Sequence, residues 1–144
     1  MTTVTSSSSS SFFSTSNLIS INSAAQLPIK LNTQNYPSWR AQFNSLLLGH
    51  KLLGFVDGSN KPPPATILSA NDKETIPSTV SNPEYEIWFQ QDQLLLHGII
   101  SSTTEGVIPF TASCQTSKQA WDKLTQMFAN KSRSRMMSLT EKLA

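Results

Sequence analysis

Apolar side chains recur at helical spacing in three separate stretches of the chain. In the first stretch they fall at i, i+4, i+7 and i+8, which is one face of a 3.6-residue repeat. Pro37 stands at the first helical position, where its missing N–H would be unsatisfied anyway. The pattern predicts a helix that begins near Tyr36 and ends near Gly49. Its apolar face consists of Trp39, Phe43, Leu46 and Leu47.

The second stretch carries the strongest signal for a helix start. Asn82 is suited to capping free N–H groups, Pro83 fits the first turn, and Glu84 and Glu86 favour the positive end of the helix dipole. A long helix is therefore predicted from this point. Its apolar face is predicted to consist of Tyr85, Trp88, Phe89, Leu95, Leu96 and Ile99.

The third stretch opens with a capping-box sequence, residues 116–119, in which a hydroxyl and an amide side chain reach for each other's free N–H groups. A break is expected at Asn130, and residues 132–144 predict a further helix that ends without a stop signal, which suggests truncation. The stripe of the third helix is Ala120, Trp121, Leu124, Met127 and Phe128.

The segments between these stretches carry little periodicity. Residues 52–56 form a short apolar cluster closed by the turn signal Asp57–Gly58. Residues 59–81 are polar, contain prolines and predict a long exposed loop. An alternating pattern of strand length is absent outside a short patch at residues 19–21. The predicted fold class is all-α, a small bundle of four to five helices with a proline-containing loop.

Composition divides the chain into a tail and one domain. Its hydrophobic fraction of 38% and charged fraction of 14% lie below averages of about 45 to 50% and about 25%. The deficit arises at the amino terminus, because residues 1–26 hold six consecutive serines and no charged side chain. Such a segment cannot bury enough apolar surface to offset the entropy of ordering. We predict a disordered tail over residues 1–26 and a folded domain over residues 27–144.

The residue types needed for catalysis or ligand binding are sparse. His50 and His97 stand alone without a nucleophile motif, and each is better explained as a structural histidine. With Cys114 they cannot supply the closely spaced ligands that zinc requires. No glycine-rich phosphate loop occurs. The sequence therefore predicts no enzyme, catalytic residue, metal, cofactor or small-molecule substrate.

Location and membrane attachment are also only weakly indicated. The apolar runs are far shorter than the roughly 20 residues of a membrane span, so no membrane association is expected. A lone cysteine suits a reducing compartment, which favours the cytoplasm. A nuclear or plastid location stays open, although the serine-rich leader lacks the arginines of a transit peptide.

Basic residues gather near the carboxyl end. Lys131, Arg133 and Arg135 follow one another with no acidic residue between Asp122 and Glu141. Three phosphate contacts would produce a weak, nonspecific RNA interaction with a salt slope of about −2. A solvated helix face is the favoured interpretation of these cations, and RNA contact is the alternative.

The order of these landmarks resembles the amino-terminal capsid region of Gag polyproteins from plant copia-type LTR retrotransposons. The resemblance covers about four fifths of the chain. The landmarks that carry it are Lys30–Leu31, Asn35–Tyr36, Trp39–Arg40, residues 49–58, the proline-rich linker, residues 82–85, Trp88, residues 91–94, residues 99–102, residues 120–124, Phe128–Ala129 and residues 132–136.

The resemblance implies a helical capsid-like region that assembles into particles around element RNA, with itself or full-length Gag as partner. Family members usually continue into further capsid helices, a Cys/His knuckle and enzymes, which suggests a degenerate or truncated copy here. A host-adopted protein-interaction or weak RNA-binding adaptor is the second hypothesis. The resemblance also assigns eight aromatic residues to the core: Tyr36, Trp39, Phe43, Tyr85, Trp88, Phe89, Trp121 and Phe128.

Overall fold

The computed structural model describes residues 17–69 and 78–130 in full, and the backbone of residues 131–143. Within this part of the chain there are six helices and two short strands. In chain order they are α1 Ser23–Gln26, α2 Tyr36–Gly49, α3 Leu53–Asp57, β1 Thr66–Leu68, β2 Thr79–Ser81, α4 Pro83–Ser101, α5 Ile108–Thr111 and α6 Ser117–Leu143. The all-α class predicted from the sequence is confirmed.

Helix α6 is the central element, because α2, α3, α4 and α5 all pack against it. The apolar stripes of the three long helices meet along it and form one continuous core. Burial of these side chains is the main favourable term for a domain of this size. The core residues of the long helices include Trp39, Phe43 and Leu47 from α2, Leu95 and Ile99 from α4, and Trp121, Leu124 and Phe128 from α6.

The predicted helix starts are found at the expected residues. The Asn82 side chain accepts a hydrogen bond from Glu84 N at 3.1 Å, so it caps α4. Thr116 Oγ1 accepts from Gln119 N at 3.1 Å and caps α6. The return bond of the box is shifted by one residue, because Gln119 Oε1 accepts from Gln115 N at 2.8 Å. Both caps satisfy N–H groups that the helix itself leaves free.

Part of the predicted amino-terminal tail contacts the helical domain. Residues 1–16 of the predicted tail lie outside the described residues, but residues 17–26 are part of the fold. The Gln91 side chain bonds Ile19 in both directions, accepting from its N–H at 2.8 Å and donating to its carbonyl at 2.9 Å. Ile21 packs into the core beside Gly98. Through Ile19 and the buried Ile21, the segment of residues 17–26 therefore contacts the helical domain.

The proline-containing loop also holds more structure than predicted. Strands β1 and β2 form an antiparallel hairpin in which Ile67 pairs with Val80. Asn82 fastens its base by donating to Pro64 O at 2.7 Å through its side chain and to Ala65 O at 2.9 Å through its N–H. Strands of three residues are too short to show a period-two pattern, which explains why the sequence did not reveal them.

The predicted break at Asn130 is absent. Helix α6 runs without interruption from Ser117 to Leu143, so the third and fourth predicted helices are one. Asn has only a modestly low helix propensity, and neither Gly nor Pro follows it to stop the helix.

Candidate functional site

An aromatic cluster joins α2 to α6 at the centre of the domain. The Trp39 ring lies 5.3 Å from Phe43 and 5.6 Å from Trp121, and Phe43 meets Trp121 at 5.5 Å in an edge-on arrangement. Tyr36 stacks on Phe128 at 5.8 Å. All five rings are buried. Such pairs stabilise a core beyond the area they bury, so this cluster is a structural centre of the domain.

Arg40 closes the open side of the cluster. Its guanidinium carbon lies 5.1 Å from the centre of a Trp121 ring, in the geometry of a cation–π contact. Its Nη1 donates to Tyr36 Oη at 2.8 Å and to Thr125 Oγ1 at 3.3 Å. This cation is therefore engaged in holding α2 against α6.

A second buried connection links α2 to the end of α4. Trp39 Nε1 donates to Ser102 Oγ at 3.0 Å, and the Ser102 hydroxyl donates to Ile99 O at 2.9 Å. Beside it, Leu31 N donates to Ser102 O at 2.8 Å, while Thr104 N donates to Leu31 O at 2.9 Å. The segment before α2 thus lies against the segment after α4. These polar groups are satisfied within the fold.

Three of the eight aromatic residues assigned to the core are not fully buried. Phe89 is exposed, and Tyr85 and Trp88 are only half-buried. Trp88 stacks on Phe55 at 5.4 Å and donates through Nε1 to Asn60 O at 3.2 Å, at the edge of the core. The assignment of Phe89 to the core was wrong, because α4 is rotated so that two polar residues occupy part of its buried face.

Those polar residues are Gln91 and Asp92, which the sequence reading missed. The Asp92 side chain, 1% exposed, accepts from Ser117 N at 3.3 Å and also from the Ser117 hydroxyl. It therefore binds the first N–H group of α6 from a neighbouring helix. Burial raises the pKa of the Asp92 carboxyl, against the hydrogen bonds from Ser117 and Gln93 that lower it. Only the tertiary contact identifies this residue, since it lies 25 positions from Ser117.

The residues considered for chemistry are not brought together. His97 is exposed on α4, His50 is half-buried at the carboxyl end of α2, and Cys114 is a free thiol. Among the described residues, no group of three or more His, Cys, Asp or Glu side chains could hold a metal ion. No helix in the described ranges is both long and apolar enough to cross a membrane.

Among the described residues, two surface depressions are candidates for binding. The larger, about 470 Å³, is almost wholly apolar and is lined by Leu18, Phe89, Gln90, Gln93 and Leu94. We call it the Phe89 groove. A second of about 320 Å³ lies beside Phe55 and Trp88, with Asp92 and Lys118 also in its wall. The Asp92 carboxylate in this wall is already bonded to Ser117, so the Phe89 groove is the better candidate surface.

The candidate RNA contacts lie in the last part of α6. The helix continues through Lys131, Arg133 and Arg135. At 100° per residue, positions 131 and 135 share one side of the helix, whereas position 133 lies on the opposite side.

Comparison of the sequence with known proteins identifies its family. The sequence profile described as Gag-polypeptide of LTR copia-type matches residues 22–64. The retrovirus-related Pol polyprotein from transposon RE2 of Arabidopsis thaliana is 36% identical over 103 residues, 72% of this chain and 7% of the relative. The corresponding polyprotein from transposon RE1 of the same plant is 33% identical over 114 residues, 79% of this chain and 7% of the relative. No solved structure gives a significant match.

The described residues form a small helical domain in which the buried polar groups maintain the fold. The chain carries a copia-type LTR retrotransposon Gag region. The Gag domain family is structural and non-catalytic. The chain spans about 7% of the length of the two polyproteins that it matches, so their other activities are not assigned to it.

Proposed function

We propose that this chain is a non-enzymatic, capsid-like assembly module that associates with copies of itself and with full-length Gag. The observation that carries the proposal is the Phe89 groove on a domain matched to copia-type Gag. We place the contact at this apolar concavity, where the Phe89 side chain is exposed. Residues 1–144 would then supply helical contacts to a particle. We propose that this assembly takes place in the cytoplasm, where a fluorescent fusion of the chain should form puncta.

The groove fits a second copy better than a small molecule. Its wall is formed by Leu18, Phe89 and Leu94, with the amides of Gln90 and Gln93 at the side. None of these residues is charged, so two copies can face each other there without repulsion. A small-molecule site would need convergent polar groups to orient its ligand, whereas the buried polar groups of this domain are bonded internally.

The test is sedimentation velocity over a concentration series, alone and with full-length Gag from a related copia element. The wild-type chain should show concentration-dependent oligomers and should co-sediment with Gag. Phe89→Ser should weaken both associations. Phe110→Ser is the matched control, since Phe110 is 44% exposed and Phe89 is 43% exposed, but only Phe89 lines the groove. A chain that stays monomeric and does not co-sediment with Gag would refute the proposal.

The alternative function is a host-adopted adaptor that binds RNA weakly through its carboxyl end. The observation in its favour is the uninterrupted course of α6, which includes Lys131, Arg133 and Arg135 in the stretch without acidic residues between Asp122 and Glu141. Changing Lys131, Arg133 and Arg135 to Glu should then abolish salt-dependent binding to single-stranded RNA. The matched control reverses three cations outside α6, at Lys30, Lys51 and Lys61. Equal losses in both variants, or no binding by the wild type, would reject the alternative.

A further inference from the structure

The hairpin of β1 and β2 extends from the helical domain with both strands exposed along their length. Its register pairs Ile67 with Val80. In an antiparallel pair, alternate residues direct their backbone groups toward the partner strand and away from it. The flanking bonds join Ser69 N to Ser78 O at 2.7 Å and Asn82 N to Ala65 O at 2.9 Å. The backbone groups of Ile67 and Val80 therefore point inward.

By the same alternation, the N–H and C=O groups of Thr79 and Ser81 point to the outer edge of β2. Within the described chain, no hydrogen bond covers this edge. Natural edge strands are usually protected by lysine, proline or a bulge. Here neither strand contains a charged residue or a proline, and Ile67, Leu68 and Val80 are exposed. Among the described residues, this edge is therefore unpaired and carries none of these protective features.

We propose that β2 pairs with β2 of a second copy of this chain, antiparallel about a twofold axis. The outward groups set the register, with Thr79 opposite Ser81 of the other copy and Val80 opposite Val80. The two hairpins then form a four-stranded sheet. This inference rests on the proposed self-association, and it identifies a second surface through which copies meet.

A second copy is the occupant that this edge fits, because a twofold contact places each residue against its own kind. A charged strand would repel itself in that arrangement, whereas an uncharged strand does not. The pairing also lines up Ile67 and Val80 of both copies in one apolar row on the same face of the sheet. A lone two-stranded hairpin is at best marginally stable in water, and four strands would relieve that weakness.

Strand β2 is favoured over β1 because of what lies beside each strand. Pro62–Pro64 precede β1 and lack the N–H groups needed to continue a ladder there. Strand β2 runs directly into Asn82, which is held by Ala65 O, Pro64 O and the start of α4. Its edge is consequently fixed to the helical domain.

Two different self-contacts on each copy allow an assembly larger than a dimer. A single twofold contact closes a dimer, whereas two different contacts on each copy allow an assembly to grow. The β2 edge and the Phe89 groove are formed by different residues. Three-residue pairing buries much less than the roughly 1,600 Å² of a stable complex, so it acts at the high local concentration within an assembly.

The first experiment uses a matched pair of proline substitutions in the full chain. Thr79→Pro removes an outward N–H of β2, and Thr66→Pro removes an outward N–H of β1, so neither deletes an inward bond of the hairpin. Sedimentation velocity should show that Thr79→Pro weakens self-association about tenfold, because each pairing loses two hydrogen bonds. Thr66→Pro should associate like the wild type. Equal effects of the two prolines would overturn the proposal.

Disulfide trapping supplies an independent readout. In a Cys114→Ser background, Val80→Cys should give a covalent dimer under mild oxidation, because directly opposed non-bonded positions place Cα atoms about 4.5 Å apart. Leu68→Cys, exposed on the other strand, should not. Comparable yields from both cysteines would also overturn the pairing. If the wild type associates while these tests fail, only the hairpin contact is wrong, whereas a monomeric wild type removes the proposed function as well.

Discussion

Trp39 Nε1 donates to Ser102 Oγ across 3.0 Å, and both residues are buried where α2 meets the end of α4. Ser102→Ala would leave the indole N–H without a partner in the core. An unsatisfied buried donor costs about 1 to 3 kcal/mol, and urea unfolding should show a loss of that size. Trp39→Phe removes the donor, so Ser102→Ala should cost less in that background. Additive losses in the double mutant would contradict the coupling.

The two tryptophans Trp88 and Trp121 should differ in what they contribute. Trp121 is buried between Trp39 and Phe43, so Trp121→Ala should reduce the free energy of unfolding by about 3 to 5 kcal/mol. Trp88 is half-buried at the edge of the core, so Trp88→Ala should cost only about 1 to 2 kcal/mol. The sequence alone assigned both residues to the core, which predicts similar losses for the two variants. Equal losses in chemical denaturation would restore that simpler expectation.

The contrast between those residues shows what the pattern of a single helix can reveal. The start of α4 at Asn82 and the cap of α6 at Thr116 follow from local chemistry, which is contained in four neighbouring residues. The rotation of α4 does not, because it depends on Asp92 meeting Ser117 from another helix. A reading that seeks apolar positions alone places Phe89 inside the domain. That same rotation leaves Phe89 at the surface, where it lines the candidate contact site.

Ordering of residues 17–26 can be tested with two isoleucines. Ile21 is 6% exposed, and a β-carbon at position 98 would lie only 3.0 Å from its Cγ2, so the contact with Gly98 is close. Ile21→Ala should lower the free energy of unfolding by about 2 kcal/mol or more. Ile29→Ala, at 39% exposure, should change it by less than about 0.5 kcal/mol. Matching small effects at both positions would indicate that the segment before α1 does not support the core.

The buried carboxyl of Asp92 should make stability depend on pH in an unusual direction. Burial raises its pKa above the ordinary 3.8, so the folded chain retains this proton at a pH where the unfolded chain has released it. Stability from this group is therefore greatest below the unfolded pKa and falls as pH rises through the folded pKa. Asp92→Asn should remove that decline. Urea unfolding from about pH 3 to pH 7 should show the wild type losing stability relative to the mutant as pH increases.

Asp57 provides the control of opposite sign. The Asp57 side chain accepts from Ser59 N at 2.8 Å, and its bonds with Ser59 lower the pKa of its carboxyl. Its contribution is therefore present above the unfolded pKa and is lost as pH falls through the folded one. Compared with Asp57→Asn, the wild type should lose its relative stability on acidification. If both aspartates changed stability in the same direction with pH, the burial of Asp92 at the start of α6 would not control its titration.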